Sequence, residues 1–306
     1  MDTRLVLAVA VVALVLAAIT ITGLQKTLGG SGEKSTHAPT VMINSTTESG
    51  VASHASIPRV NRVNENISAS SEAITTSQAS LLSCIKRLRV AVYNGSGTWF
   101  SGLEALRLYF RSRGISYEMI GPSGIKAGGL GRYDVLVMPG GWAYSYWLRL
   151  GPEGNKAIKA FVKKGGGYLG ICAGGFYAAK AIIWEAGIYH YSLKIVNAVA
   201  EGPKKGYPWP TRAYIPIRVS DKLTRYGLNR TYTALYYGGP EFVYIDNQSV
   251  VILATYVDDG RAAIIAAQYG SGRVVLTGVH LEVSEETWPL LDILLAYLGH
   301  CIDLGE

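Results

Sequence analysis

The chain has 306 residues, 49% of them hydrophobic and 36 of them glycine, with a formal charge of +7. This allows one or two domains built on a globular α/β core plus a separate apolar segment, and excludes a wholly disordered or collagen-like chain. The first eighty residues hold five Lys or Arg and five Asp or Glu, so the excess positive charge falls in the remainder.

The chain opens on Leu5 to Leu24, an uncharged aliphatic and alanine stretch between Arg4 and Lys26. About twenty such residues span a bilayer core as a helix. A cleaved signal peptide would have a shorter apolar region and a small-x-small site, and Ala18 is followed by Ile-Thr-Ile-Thr-Gly. The expectation is an uncleaved anchor over residues 1–24 and a single-pass membrane protein, with the membrane a partner through Leu5 to Leu24. Residues 25–82 are rich in Ser and Thr and lack sustained periodicity, which predicts a disordered linker. Two sequons, Asn44-Ser45-Thr46 and Asn66-Ile67-Ser68, suit an extracytoplasmic stalk and place the folded domain outside the cytoplasm.

The folded domain is expected over residues 83–306. Leu88 to Tyr93 reads as a first strand that ends in Asn94-Gly95-Ser96-Gly97, a loop expected at the pocket edge. Leu103, Leu106 and Tyr109 mark a helix, and Ser116 to Ile120 and Asp134 to Met138 mark two more strands. The third strand runs into Pro139-Gly140-Gly141, where a diglycine can bring backbone N–H groups close to a reacting carbonyl. A helix over Asn155 to Lys164 stops at three glycines and feeds the strand Gly167 to Ile171, and Ala173 to Glu185 reads as the next helix. Strand–helix alternation predicts a flavodoxin-like, doubly wound, mostly parallel sheet. Tyr189 to Val196, Arg212 to Val219, Thr231 to Tyr237, Glu241 to Ile245, Val250 to Tyr256 and Ala262 to Tyr269 read as short strands of an antiparallel extension packed on that sheet. Arg273 to Thr277 returns to the main sheet, and an amphipathic helix from Glu285 to Leu298 closes the domain.

Three stretches carry chemistry. Gly170-Ile171-Cys172-Ala173-Gly174 has the strand–turn–helix context of a nucleophile elbow, in which glycines allow the turn that exposes the central side chain. Gly278-Val279-His280-Leu281-Glu282 ends a strand, and two residues of spacing let Glu282 hydrogen-bond the ring of His280 while the other ring nitrogen faces a thiol. Cys, His and a carboxylate are the parts of an activated sulfur nucleophile. Tyr236-Tyr237-Gly238-Gly239-Pro240 is either a pocket rim or a simple hairpin turn. His190 has no carboxylate two residues away and ranks below His280 as a base. Cys84 and Cys301 flank the domain and are either a disulfide joining its ends or two unpaired thiols.

Together, the elbow, the PGG loop one crossover earlier and the late H-x-E resemble the class I glutamine amidotransferase superfamily. Within it, MPGGW, AIKAFVKKGGGYLGICAGGFYAA, YYGGPEF and GVHLE resemble the domain at the N-terminus of eukaryotic biotin-protein ligases, over about residues 88 to 300. The resemblance implies Cys172 as nucleophile, His280 as its base, Glu282 as the orienting acid, and Gly141 and Ala173 as oxyanion donors. The residues expected around the pocket are Asn94, Gly140, Trp142, Phe176, Tyr237, Gly238 and Gly239. Glutamine-using members carry Gln four residues after the nucleophile; Phe176 stands there, so glutamine is not the expected substrate. With no further ligase-sized domain and no basic glycine-rich loop, biotin ligation is not expected either.

The expected activity is an amidotransferase-like cysteine hydrolase acting on a small-molecule or peptide amide. The alternative is a binding domain of the same fold whose pocket is filled by Trp142, Tyr144 or Phe176. No cofactor and no metal is expected, because no Cys or His cluster has ligand spacing. Basic residues such as Lys163, Lys204 and Arg212 are interspersed without a nucleic-acid-binding signature, so nucleic acid is not an expected partner. The sequence leaves a protein partner unknown.

Overall fold

The computed structural model describes residues 78–304. It starts with a short helix, α1, over residues 78–85, so the last residues of the expected linker are helical. Burial explains this: Ile85 is in the core, and Leu81 and Leu82 pack against it. The rest of the linker, its two sequons and the segment Leu5 to Leu24 lie outside the described residues.

The strands β1 (Arg89–Tyr93), β2 (Ser116–Ile120), β3 (Val135–Met138) and β4 (Gly167–Ile171) alternate with helices α2 (Phe100–Arg113), α3 (Pro122–Lys126) and α4 (Ala143–Lys163). A short helix, α5 (Ala173–Ala178), follows β4. Next come β5 (Ala179–Trp184), β6 (Gly187–Tyr189), β7 (Val196–Gly202), β8 (Arg212–Val219), β9 (Thr231–Tyr237), β10 (Glu241–Val243), β11 (Val250–Tyr256), β12 (Ala262–Tyr269) and β13 (Gly272–Thr277), closed by α6 (Trp288–Leu298).

The five parallel strands stand in the order β2-β1-β3-β4-β13, the flavodoxin-like order. The inner strands β1, β3 and β4 are covered on both faces, so their side chains are apolar on both, whereas Ser116 and Glu118 of the edge strand β2 are exposed. In β3, Val135 and Val137 join the cluster under α2 and α6, while Leu136 and Met138 join the one under α4. By contrast, β8 alternates buried and exposed positions along its C-terminal half, as a strand with one wet face does.

The extension departs from expectation. It is not packed on the main sheet but continues it: β12 pairs antiparallel with β13, and β10, β7, β5 and β6 follow in the same sheet, which is therefore mixed. Nor does the helix after Cys172 run to Glu185. It stops at Ala178, because Ala179 to Trp184 is recruited as β5 alongside β7. The segment Tyr189 to Val196 is not one strand, since β6 ends at Tyr189 and β7 begins at Val196. The closing helix is buried on nearly every side rather than amphipathic, because it packs on β4 and β13 while its Asp292 and Trp288 meet Tyr109 and Arg113 of α2.

The expected transmembrane helix, membrane location and extracytoplasmic placement are corrected: among the described residues no helix is long and apolar enough to cross a membrane. The longest, α4, has 21 residues but carries Arg149, Glu153, Lys156, Lys159 and Lys163, and it breaks at Gly151 (φ 60°) before Pro152. Cys84 and Cys301 are joined in a disulfide with Cα atoms 6.0 Å apart across 217 residues of sequence, which ties α1 to the end of α6.

Candidate active site

Sheet register assembles the site. Thr277 of β13 pairs with Ile171 of β4, and Met138 of β3 pairs with Gly170, so three strands release their next residues at one edge. Cys172 follows Ile171 directly and its N–H donates to the Thr277 carbonyl at 2.8 Å. Pro139-Gly140-Gly141 leaves β3 beside it. The loop after β1 is stitched to this one, with Thr98 bridged to Gly141 and the Trp99 N–H bonded to the Gly140 carbonyl at 2.8 Å.

Cys172 has φ 50° and ψ −104°, a conformation that costs a non-glycine residue energy and is characteristic of a nucleophile elbow. The glycines on either side are required by packing. A Cβ at Gly174 would stand 2.0 Å from the Met138 carbonyl, and one at Gly170 would stand 2.5 Å from the Gly174 carbonyl. The Cys172 side chain is 5% exposed, and its Sγ makes a weak 3.7 Å contact to the Tyr237 carbonyl. With Cys84 and Cys301 bonded to each other, it is the free thiol among the described residues.

His280 and Glu282 are fully buried, and the imidazole Nδ1 lies 2.8 Å from Glu282 Oε1. The pairing does not come from an extended segment: Leu281–Val283 is a single 3-10 turn. That turn is held by Thr287, whose hydroxyl donates to the Leu281 carbonyl, and by Trp288, whose indole N–H donates to the Glu282 carbonyl at 3.0 Å. Burial alone would lower the basicity of His280. The charge and hydrogen bond of Glu282 together with Cys172 outweigh it, and the imidazole is pushed up to about 10. Nε2 has no hydrogen-bond partner in the protein: it stands near the thiol without closing a hydrogen bond to it. The indole of Trp99 covers the ring edge-on at 4.8 Å.

Cys172 opens on two lobes that share Gly141, Trp142, Trp209 and Tyr237. The larger, about 340 Å³, extends past Phe176 and Trp184 to Tyr189 and Tyr191. The smaller, about 200 Å³, reaches His280 and Trp99. Trp142, Tyr144 and Phe176 line this space rather than filling it. Of the expected pocket residues, Gly141, Trp142, Phe176, Tyr237 and Gly238 line it together with Ala173. Asn94, Gly140 and Gly239 do not. Asn94 turns toward Gly121, Gly140 packs under His280, and Gly239 lies against the Gly278 carbonyl. The amides of Cys172, Gly174 and Trp142 are committed to carbonyls, whereas those of Gly141 and Ala173 are not.

The sequence did not single out Trp99, Trp184 or Trp209. Their signal was compositional: four of the six tryptophans line these lobes. Among the described residues no group of His, Cys, Asp or Glu is arranged to hold a metal ion.

A family model described as "Biotin-protein ligase, N terminal" matches residues 88–291. A biotin–protein ligase of Schizosaccharomyces pombe is 32% identical over 174 residues, 52% of this chain and 27% of that protein. An uncharacterized protein of Chlamydia muridarum is 28% identical over 163 residues, 50% of this chain and 62% of that one. The chain thus spans about a quarter of the first relative's length and less than two thirds of the second's. A crystal structure of a glutamine amidotransferase superposes with a TM-score of 0.54 at 18% identity, covering 69% of this chain and 98% of the other; at that identity the likeness establishes the amidotransferase-like fold alone. The family match spans the sheet, the elbow and His280, and by it this chain belongs to the biotin-protein ligase N-terminal domain family.

Proposed function

We propose that the domain is a cysteine-dependent hydrolase of an amide or related acyl bond, with Cys172, His280 and Glu282 as its working residues. The observation that carries this reading is a buried free thiol on a strained strand-to-helix turn, sharing a lobe with a buried imidazole nitrogen, Nε2 of His280, that has no hydrogen-bond partner. A buried polar atom without a partner costs about 1–3 kcal/mol, and such atoms are tolerated where a reactant supplies the missing bond.

In this reading the attacking species is the Cys172 thiolate, formed beside the His280 imidazolium. The thiolate adds to the acyl carbon, and the oxygen takes up the negative charge opposite the free N–H groups of Gly141 and Ala173. The imidazolium gives its Nε2 proton to the leaving nitrogen, the C–N bond breaks, and a thioester remains. The neutral imidazole then takes a proton from water as the water oxygen attacks the thioester. The C–S bond breaks, the carboxylic acid departs, and the thiolate–imidazolium pair is restored. Glu282 holds Nδ1 throughout, which fixes Nε2 toward the sulfur.

The test is the pH dependence of Cys172 alkylation by iodoacetamide, read by peptide mass, in wild type and His280→Ala. Reaction as a thiolate well below the ordinary thiol value of about 8.5, lost in the variant, supports the hydrolase. The weak bond from Sγ to the Tyr237 carbonyl favours a second reading, a binding domain without turnover. Titration of Cys172 as an ordinary thiol in both proteins would establish it instead.

A further inference from the structure

The two lobes differ in chemistry, and their difference bears on the substrate. Apart from Cys172, no side chain that carries a charge lines the larger lobe. Its wall is a continuous set of rings: Trp142, Trp184 and Trp209 touch pairwise with centroids 6.1 to 6.2 Å apart, and Phe176 meets Trp184 at 5.7 Å. These indoles fill the space among themselves, so they form a wall for a flat or apolar group, not a cage around a cation. A free amino acid would leave its ammonium and carboxylate unpaired there.

The smaller lobe contains His280, and a cation stands against two of the rings that line it. Arg212 on β8 pairs in register with Tyr237 on β9, which sets its guanidinium 4.3 Å over the Tyr237 ring and 5.8 Å from the ring of Trp99. Both rings line the lobe. Arg212 is exposed and, among the described residues, no carboxylate pairs with it. Stacking fixes the plane of the guanidinium while its N–H donors remain available to an anion.

We propose that the substrate class is an N-acyl amino acid, with a flat or apolar acyl group in the tryptophan-walled lobe and the amino acid carboxylate on Arg212. This rests on the reading of His280 as the proton donor. The leaving nitrogen must meet Nε2, so the amine half of the amide occupies the smaller lobe and the acyl half the larger one. Hydrolysis then yields an apolar carboxylic acid and a free amino acid, the C–N bond breaking and water supplying OH to the acyl carbon and H to the nitrogen. Arg212 is a specificity-determining residue for the amine half.

The experiment measures binding without turnover, in the full chain carrying Cys172→Ser, by quenching of indole fluorescence. Three probes share one benzamide: hippurate, its neutral amide hippuramide, and the cationic N-benzoylethylenediamine. Hippurate is expected to bind about fivefold tighter than hippuramide, the scale of one exposed ion pair, and the cation more weakly still. Arg212→Gln removes the preference for hippurate and leaves hippuramide unchanged. Trp209→Leu weakens all three, and L-glutamine does not compete. Equal affinity for hippurate and hippuramide overturns the proposal, as does competition by glutamine or the absence of saturable quenching by any probe in a protein that melts like wild type. Failure of the hydrolase is separately visible: if alkylation shows an ordinary thiol while the probe series holds, the site binds N-acyl amino acids without cleaving them. If alkylation shows a thiolate and the series fails, the substrate is of another class.

Discussion

Gly140 lies directly under the imidazole of His280: a Cβ at Gly140 would stand 2.4 Å from Cε1 and 3.3 Å from Nδ1 of the ring. Gly140 is not among the glycines with positive φ, so its backbone tolerates alanine and the conflict is purely with the histidine. The carbonyl of Gly140 is fixed from two sides, by the Trp99 N–H at 2.8 Å and the Tyr146 hydroxyl at 2.9 Å, and the loop cannot yield easily. Gly140→Ala is therefore expected to push the ring away from Cys172. Alkylation of Cys172 at about pH 6.5 is expected to fall roughly tenfold or more, because the ring no longer stands beside the sulfur. Overpacking costs about 1–3 kcal/mol of stability, seen as an earlier urea midpoint. An alkylation profile unchanged from wild type would mean that His280 does not set the state of the sulfur.

Glu282→Gln tests the charge that supports His280. Burial lowers the imidazole, the carboxylate and Cys172 together raise it by more, and the ring goes from an ordinary 6.5 to about 10. A base with a raised folded value contributes stability that is full below about 6.5 and is lost as pH rises through about 10. Removing the carboxylate leaves burial opposed only by Cys172, so the imidazolium is lost at lower pH. Urea midpoints of the two proteins are expected to differ most below about pH 6.5 and to converge toward pH 10. Parallel curves over that range would contradict the assignment of the shift to Glu282.

Local sequence carried the parts of the site that are local. Gly170 to Gly174 and His280 to Glu282 each occupy five residues or fewer, and their chemistry depends on spacing within the motif. β2, β4, β9, β11 and β12 were legible for the same reason, since buried runs and alternation are properties of a single strand. What was not legible depends on pairing at a distance. Ala179 to Ala181 has helical composition, but β7 captures it as a strand, and tertiary context overrides propensity. The ring wall joins Trp142 at the start of α4, Trp184 at the end of β5 and Trp209 in the loop before β8. None of these announces the others, because only the fold brings them within 6.2 Å. Gly239 was read as pocket rim, yet it serves the close approach of its own backbone to Gly278.

Lys204 tests whether the outer wall of the site depends on a buried charge cluster. The ammonium is 2% exposed, lies 2.7 Å from Glu241 and 3.2 Å from Asp258, contacts Asp259, and sits 4.8 Å over the ring of Tyr256. Glu241 begins β10 directly after Tyr237-Gly238-Gly239-Pro240, so the cluster anchors the loop whose Tyr237 carbonyl meets Cys172. Burial holds the Glu241 carboxyl above the usual carboxylate range, while Lys204 and Arg261 oppose that rise. In Lys204→Met one opposing charge is gone, and the buried carboxylate keeps only Arg261, at 2.8 Å. Breaking a buried pair from one side costs about 3–5 kcal/mol, expected here near pH 7, where Glu241 is ionised. As pH falls the carboxyl takes a proton in the folded state before it does in the unfolded one. The deficit should therefore narrow toward pH 5, and Glu241→Gln added to Lys204→Met should recover part of it at pH 7. Urea unfolding of the three variants at both pH values measures this. A Lys204→Met protein as stable as wild type at pH 7 would mean that packing alone, not the ion cluster, holds the Tyr237 loop against the cysteine.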